Sequence, residues 1–284
     1  MFRDCIDSLT NIRIPDDCDV MIVVVQSGTI EETDYAGDIL AASERPWPFV
    51  IDRATRSGIA AARNIALEQA LALYADWVVF IDDDEIAARD WLVGLMAPNY
   101  RDTPILAGKR DFVFPAEAPP TYWDDVSQPA KRYREGRAIR TCTGGNVRIN
   151  AHAIGDARFD ERIGYMGGED IEFFGRLSAA GLTIRETQRA LTWEYVHPER
   201  RGFRAHMYRW FWCAASDVVA LQLIKGRRYA AFYKLHTIPA NFILGVILLP
   251  FSIRKGMKKL AKAAGRAAAF AGRLPEPYRN VVGS

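Results

Sequence analysis

The stretch that most restricts the fold of this chain is WVVFIDDDEI, residues 77–86. Bulky apolar residues run directly into Asp82, Asp83, Asp84 and Glu85. An unbroken apolar, β-branched run reads as a strand buried on both faces. Each carboxylate at its end raises the cost of ionising the next. The strand must therefore finish where four acids meet either water or positive charge.

The flanking segments give the fold class. Residues 20–25 (VMIVVV) form another continuous apolar run, and GIAAARNIALEQALAL (58–73) predicts a helix rich in Ala and Leu. Strand, helix, strand with short links is the signature of parallel α/β layering. Further on, residues 88–98 predict a helix closed by proline, 105–114 a strand, and 168–181 an amphipathic helix ending at a glycine. From 115 to about 140 the chain is Pro-rich and aromatic, then basic, which reads as a long functional loop. Ligands of open parallel sheets bind beyond the carboxyl ends of the strands, and Asp82–Glu85 stand at such an end.

Crowded hard oxygen ligands suit a divalent cation carrying a phosphorylated substrate. A solvated acidic turn capping the next helix is the plainer alternative. A P-loop NTPase is excluded, because no G-x-x-x-x-G-K-[ST] stretch exists. A phosphatase with an aspartyl nucleophile fits poorly, since Ile86 stands where a small hydroxyl residue belongs. The third chemistry is sugar-nucleotide transfer, in which D-x-D holds the metal that neutralises a diphosphate leaving group.

The segments GIAAARN (58–64), FIDDDE (80–85), GGN (144–146), FDE (159–161), GGEDIEF (167–173) and His197 occur in an order that resembles family 2 glycosyltransferases of the GT-A fold. The likeness is greatest to bacterial transferases that assemble exopolysaccharide repeat units. It implies a mainly parallel, helix-flanked sheet over residues 1–199 and a helical appendage over 200–284. It also implies roles. Asp82 would contact the donor nucleoside, and Asp84 would bind Mg²⁺ or Mn²⁺, with Glu85 reaching the metal through water. Arg63 and Asn64 would lie under the nucleotide and orient the acidic loop. Asp170, paired with Glu169, would be the general base of an inverting transfer. His197 would complete the metal site, and Gly144, Gly145 and Asn146 would form a turn that the acceptor approaches closely. Each has a plainer alternative: helix packing for Arg63 and Asn64, a dipole-favoured helix start for Glu169 and Asp170, a structural histidine for His197.

HMYRW (206–210) is similar to the Q-x-x-R-W signature of processive polysaccharide synthases, with His206 in place of Gln. Arg209 and Trp210 would then face the diphosphate or a lipid-linked acceptor; an amphipathic aromatic helix explains the same residues.

Charge is strongly segregated. From Arg200 onward there are 16 Lys and Arg against two acids, leaving residues 1–199 at −12 and the tail at +14. Between Lys234 and Arg254 lie 19 uncharged residues, LHTIPANFILGVILLPFSI, followed by a basic run from Arg254 to Arg273. An apolar wedge beside a polybasic helix suits an anionic membrane surface. No reading motif accompanies the basic residues, so nucleic acid is not expected as a partner. The N-terminal residues lack the apolar centre of a signal peptide. The four cysteines show neither zinc nor disulfide spacing. Together these place the chain, with reduced thiols, at the cytoplasmic face of the inner membrane, peripheral or shallowly inserted through its tail. Its partners there would be a nucleotide-sugar donor, taken as a UDP-sugar, and a glycan or polyprenyl-diphosphate-linked acceptor.

Two departures from the resemblance concern the nucleoside. Residues 2–10 match the helix that normally follows the family's first strand, which is missing. Gln26 stands where an Asp usually contacts the base. A catalytically silent relative that binds an acceptor glycan or a partner synthase is therefore the alternative function.

Overall fold

The computed structural model describes residues 1–26, 35–43, 47–54, 56, 58–115, 119–124, 133–163 and 167–272. Ser27 and Gly28 after the first apolar run, parts of the 115–140 loop and Arg273 of the basic run lie outside the described residues.

The chain opens with α1 (Phe2–Thr10), β1 (Ile22–Gln26), α2 (Tyr35–Ala42), β2 (Phe49–Arg53), α3 (Ile59–Ala72) and β3 (Trp77–Ile81). After the acidic turn come β4 (Glu85–Ala87), α4 (Trp91–Leu95) and β5 (Ile105–Val113). Next are β6 (Ala138–Ile139), β7 (Asn146–Asn150), α5 (Ala151–Ile154), α6 (Glu169–Ala179) and β8 (Ile184–Tyr195). Four helices finish the chain: α7 (Gly202–Lys225), α8 (Arg227–Lys234), α9 (Thr237–Leu248) and α10 (Ile253–Ala271).

The strands form two sheets. β1 and β2 pair in parallel. The larger sheet has the order β3-β7-β5-β8-β4, with β6 added on β8. The expectation of mainly parallel strands is corrected here. Only β5 and β8 run parallel; β3–β7, β5–β7, β4–β8 and β6–β8 are antiparallel. Among the described residues no helix lies between β5 and β7 to carry the chain back across the sheet, and parallel neighbours need such a crossover. β7 therefore returns antiparallel between β3 and β5.

Alternation across β3 divides the core. Val79 and Ile81 face the helices α1, α2 and α4, where Ile6, Leu9, Leu40 and Leu95 are buried. Val78 and Phe80 face α3 and α6, against Leu67, Phe173 and Phe174. The buried Arg148 of β7 crosses the first layer and gives its guanidinium to the carbonyls of Leu95, Tyr100 and Thr103.

The C-terminal helices are continuous with this body. Gly168 packs on α7 so closely that a Cβ there would stand 2.7 Å from Ser216 Cβ. Gly265 of α10 meets the Phe211 carbonyl of α7, where a Cβ would come within 2.1 Å of the oxygen. Asp124 and His206 bond at 2.9 Å, tying the loop before α7 to the helix; this is what the His of HMYRW does.

Candidate functional site

The four acids leave β3 at its carboxyl end and diverge at once. Glu85 is fully buried, Asp82 and Asp84 are half-buried and Asp83 is exposed. Three arginines answer them. Arg63, near the start of α3, reaches Asp82 Oδ1 at 3.1 Å and Glu169 Oε1 at 2.6 Å. Arg110 of β5 lies 3.4 Å from Glu85 and 3.0 Å from Glu194 of β8. Arg200 lies 3.0 Å from Asp84 Oδ2.

Negative charge still outweighs positive. Asp84 is pushed up to about 6, first by burial and then by the neighbouring Glu194, against the pull of Arg200. Glu85 is pushed up to about 7, chiefly by burial, with Arg110 opposing. Arg63 is the reverse case: burial disfavours its charge, yet Asp82 and Glu169 hold its pKa above the usual value. A crowded set of hard oxygen donors with spare negative charge fits a divalent cation. Among the described residues, no three or more His, Cys, Asp or Glu side chains are already gathered around one metal position.

The shift at Glu85 carries a stability consequence. Its folded pKa is raised above the ordinary 4.5, so between those values the folded chain binds more protons than the unfolded one. Stability from this group is then full below about pH 4.5 and declines as pH rises toward 7, by on the order of 3 kcal/mol. Glu85→Gln is expected to flatten that decline and raise the urea midpoint at pH 8 while changing it little at pH 4. Arg110 keeps Glu194 as its partner in the variant.

The remaining predicted residues divide into two groups. Those brought to the acidic turn are Arg63, Glu169, Asp170 and Gly144–Gly145. Asp170 accepts from Gly144 N at 3.3 Å and from its own helix at Ile171 N, 2.7 Å. Glu169, 4% exposed, is spent on Arg63. The glycine pair serves the protein's own side chains. A Cβ at Gly144 would stand 2.4 Å from the Arg63 guanidinium, and one at Gly145 2.4 Å from Asp82 and Glu85 oxygens. The close approach expected of an acceptor is thus made by Arg63 and the carboxylates.

Asn64 and Asn146 go elsewhere. Asn64 is buried and exchanges bonds with the Phe159 backbone while donating to Glu161, so it holds the 159–161 turn. Asn146 accepts from Trp91 Nε1 at 2.9 Å and donates to the Lys109 and Ala190 carbonyls and to Thr192. Both ends of its amide are bonded inside the sheet, and the side chain is buried.

His197 follows β8, its ring edge-on to Tyr195, and the Tyr195 N–H donates to the Asp84 carbonyl at 2.9 Å. Gln26 ends β1 with a buried Oε1 that has no hydrogen-bond partner among the described residues. Arg209 sits 6.0 Å above the Phe112 ring, and Trp210 stands beside Trp123 with the Lys258 ammonium over it. Sequence reasoning missed Arg110, Glu194 and Arg200. A charged residue inside an apolar strand pattern, as in ILAGKRDFVF and LTWEY, was the signal available for the first two.

A model of glycosyl transferase family 2 matches residues 1–163. The succinoglycan biosynthesis protein ExoM of Rhizobium meliloti (strain 1021) is 29% identical over 163 residues, 56% of this chain and 51% of that protein. The match therefore spans about half the length of that curated relative. Among solved structures, S. aureus TarS 1–349 in complex with UDP superposes with TM-score 0.52 at 14% identity, covering 95% of this chain and 88% of that one. GalNAc-T7 with UDP, GalNAc and Mn²⁺ gives TM-score 0.50 at 13% identity, over 89% and 50%. At such identities the two structures establish the shared fold.

Proposed function

We propose a sugar transfer for this chain, which belongs to glycosyl transferase family 2. The sugar moves from a nucleotide-sugar donor to a glycan or polyprenyl-diphosphate-linked acceptor, in the synthesis of a cell-surface polysaccharide. The observation that carries this reading is the acidic turn after β3, with Arg63 binding Asp82 to Glu169. UDP in the TarS and GalNAc-T7 structures supports a UDP-sugar donor, and Mn²⁺ in the latter supports a divalent cation. The ExoM likeness supports the polysaccharide context.

Asp82 and Gln26 orient the nucleoside, and Arg63 fixes Asp82 for that task. Asp84, with His197 beyond the end of β8, would hold Mg²⁺ or Mn²⁺, in competition with the Arg200 contact to Asp84 Oδ2. The cation, when bound, neutralises charge developing on the departing diphosphate. Asp170 takes the proton of the acceptor hydroxyl as its oxygen bonds to the anomeric carbon and the bond to the diphosphate breaks on the opposite face, inverting the configuration. Glu169 supports this as a positioning residue through Arg63. Arg209 and the Trp123–Trp210 wall receive the acceptor.

Calorimetric titration with UDP and GDP, with and without Mn²⁺, tests the donor half of the reading. Metal-dependent UDP binding that disappears in Asp84→Asn is the expected result. Metal-independent binding, or full binding by Asp84→Asn, overturns the assignment of Asp84.

The tail supports an anionic membrane as the working surface. The stretch Arg227–Leu248 is long and apolar enough, by length and composition, to cross a membrane, and within it only Ala230 and Gly245 are buried. Phe242, Ile243, Ile247 and Phe251 are each more than half exposed, and Lys255, Lys258 and Lys259 follow on α10. Gly245 and Gly256 let α9 and α10 fold together as a hairpin, so the apolar residues project as one tip. We expect Phe242→Asp with Ile247→Asp to reduce cosedimentation with phosphatidylserine vesicles by about tenfold or more, given the apolar area withdrawn from lipid. Unchanged sedimentation would remove the tip from the membrane.

A further inference from the structure

The apolar stretch Arg227–Leu248 runs beside α10 for its whole length. Arg227 donates to the Phe270 carbonyl at 3.1 Å, Arg266 donates to Thr237 Oγ1 at 2.9 Å, and Gly245 packs against Gly256 and Leu260. Each step forward along α8 and α9 is therefore matched by a step back along α10. The matched part of α10 carries Lys258, Lys259, Lys262 and Arg266, and α8, α9 and α10 contain no Asp or Glu. Lys234, near the middle of the stretch, pairs with Asp217 of α7 at 2.6 Å.

These contacts decide between two ways of meeting lipid. The 22 residues of the stretch are about 33 Å long at 1.5 Å per residue, enough to cross a bilayer. Crossing would take α10 along, and its four cations would enter hydrocarbon with no carboxylate on any of the three helices, a costly placement for each. The Lys234–Asp217 pair, and with it part of α7, would follow. Lying flat avoids all of this. The cations of α10 then stay level with anionic headgroups while the outer side of α8 and α9 enters the acyl boundary.

The surface suits the flat placement. Ile243 and Ile247 stand two residues either side of Gly245, so at about 100° per residue both point away from α10, and each is more than half exposed. On α8, Phe232 and Leu235 are 77% and 51% exposed. Tyr229 and Tyr233 lie beside them with rings 4.4 Å apart, and tyrosine is a residue of membrane–water interfaces.

The body stands on the other side. Gly256 faces α9 and Gly265 faces α7; nine residues at about 100° each put them on opposite sides of α10. On α7 the Phe211 carbonyl meets α10, while Ser216, five residues on, meets Gly168 just before α6. α9, α10, α7 and α6 are thus successive layers.

We propose that α8 and α9 lie flat on an anionic bilayer as one interfacial face, with α10, α7 and α6 layered above it, and do not cross it. The proposal rests on an anionic membrane being the working surface, and it leaves α10 and α7 between the lipid-facing helix and Asp170 at the start of α6.

A fluorescent amino acid placed in turn at Phe232, Ala240, Ile247 and Ala179 of the full chain tests it, in phosphatidylglycerol vesicles whose acyl chains carry a nitroxide near the headgroup or near the methyl end. The first three positions should be quenched alike, about threefold or more by the shallow nitroxide over the deep one. Ala179, exposed on α6, should be quenched by neither. Deep quenching that is strongest at Ala240 reports crossing and overturns the flat placement while leaving the membrane reading. Quenching at Ala179 overturns the layering. No quenching at any position removes the membrane reading and the proposal with it. Affinity should fall about tenfold or more on neutral phosphatidylcholine vesicles; equal affinity overturns the anionic surface. None of these readouts depends on sugar transfer.

Discussion

Arg63→Ala is expected to cost the fold about 3–5 kcal/mol, the usual result of removing one partner from a buried ion pair. Arg63 is the sole cation bonded to Glu169 among the described residues, and the Glu169 carboxyl is 4% exposed. Burial already raises the pKa of Glu169 and Arg63 opposes the rise, so deletion leaves an acid that must either ionise without compensation or take up a proton. The glycines at 144 and 145 make the loss worse. Their backbone lies directly against the guanidinium and the carboxylates, so removal opens a hole that neither glycine has a side chain to fill. Against a total stability of about 5–15 kcal/mol, urea denaturation should show a large fall in midpoint. Adding Glu169→Gln should recover part of it, since the pair is coupled. An Arg63→Ala midpoint equal to wild type would mean that the site is held by other contacts.

Asp170→Asn should have the largest effect on activity, a loss of about 10²–10⁴-fold in transfer, with UDP affinity unchanged. The amide oxygen of Asn can keep the shorter bond, from Ile171 N, while its NH2 takes the place of the oxygen that accepts the longer one from Gly144 N, so the helix start remains in place and one loop contact is given up. Basicity is removed together with that 3.3 Å contact. Initial rates and titration on the same sample separate the outcomes: full-rate transfer removes Asp170 as the base, and loss of UDP binding assigns it to the donor.

The parts of this site written in one local stretch were legible in sequence. The strand WVVFI, the acids that end it and the helix carrying Arg63 all follow from apolar period and composition, although Val78 alone of the five strand residues is buried. The side-chain partners were not, because a short motif does not state which way its residues face. Gly144, Gly145 and Asn146 read as a turn for a ligand, yet Gly144 and Gly145 fit around Arg63 and the carboxylates, and Asn146 binds three strands together. Arg110 and Glu194 meet across β5 and β8, 84 positions apart, and that pairing depends on strand order. The antiparallel runs of β4, β6 and β7 were missed for the same reason: strand direction depends on connections the local pattern does not encode.

β8 also governs when the body of this protein can form. It pairs with β4, β5 and β6, and among the described residues it is the sole partner of β4 and of β6. During synthesis β4 has emerged some hundred residues before the strand that completes it. Until residue 195 leaves the ribosome, the edge of β5 and the acidic turn beside β4 stay open, and closure then joins segments far apart in sequence, which slows folding. The segment 1–163 that carries the family signature stops short of β8. Produced alone, it would expose unpaired strand edges and aggregate, so the heritable signature and the smallest independently folding unit have different boundaries.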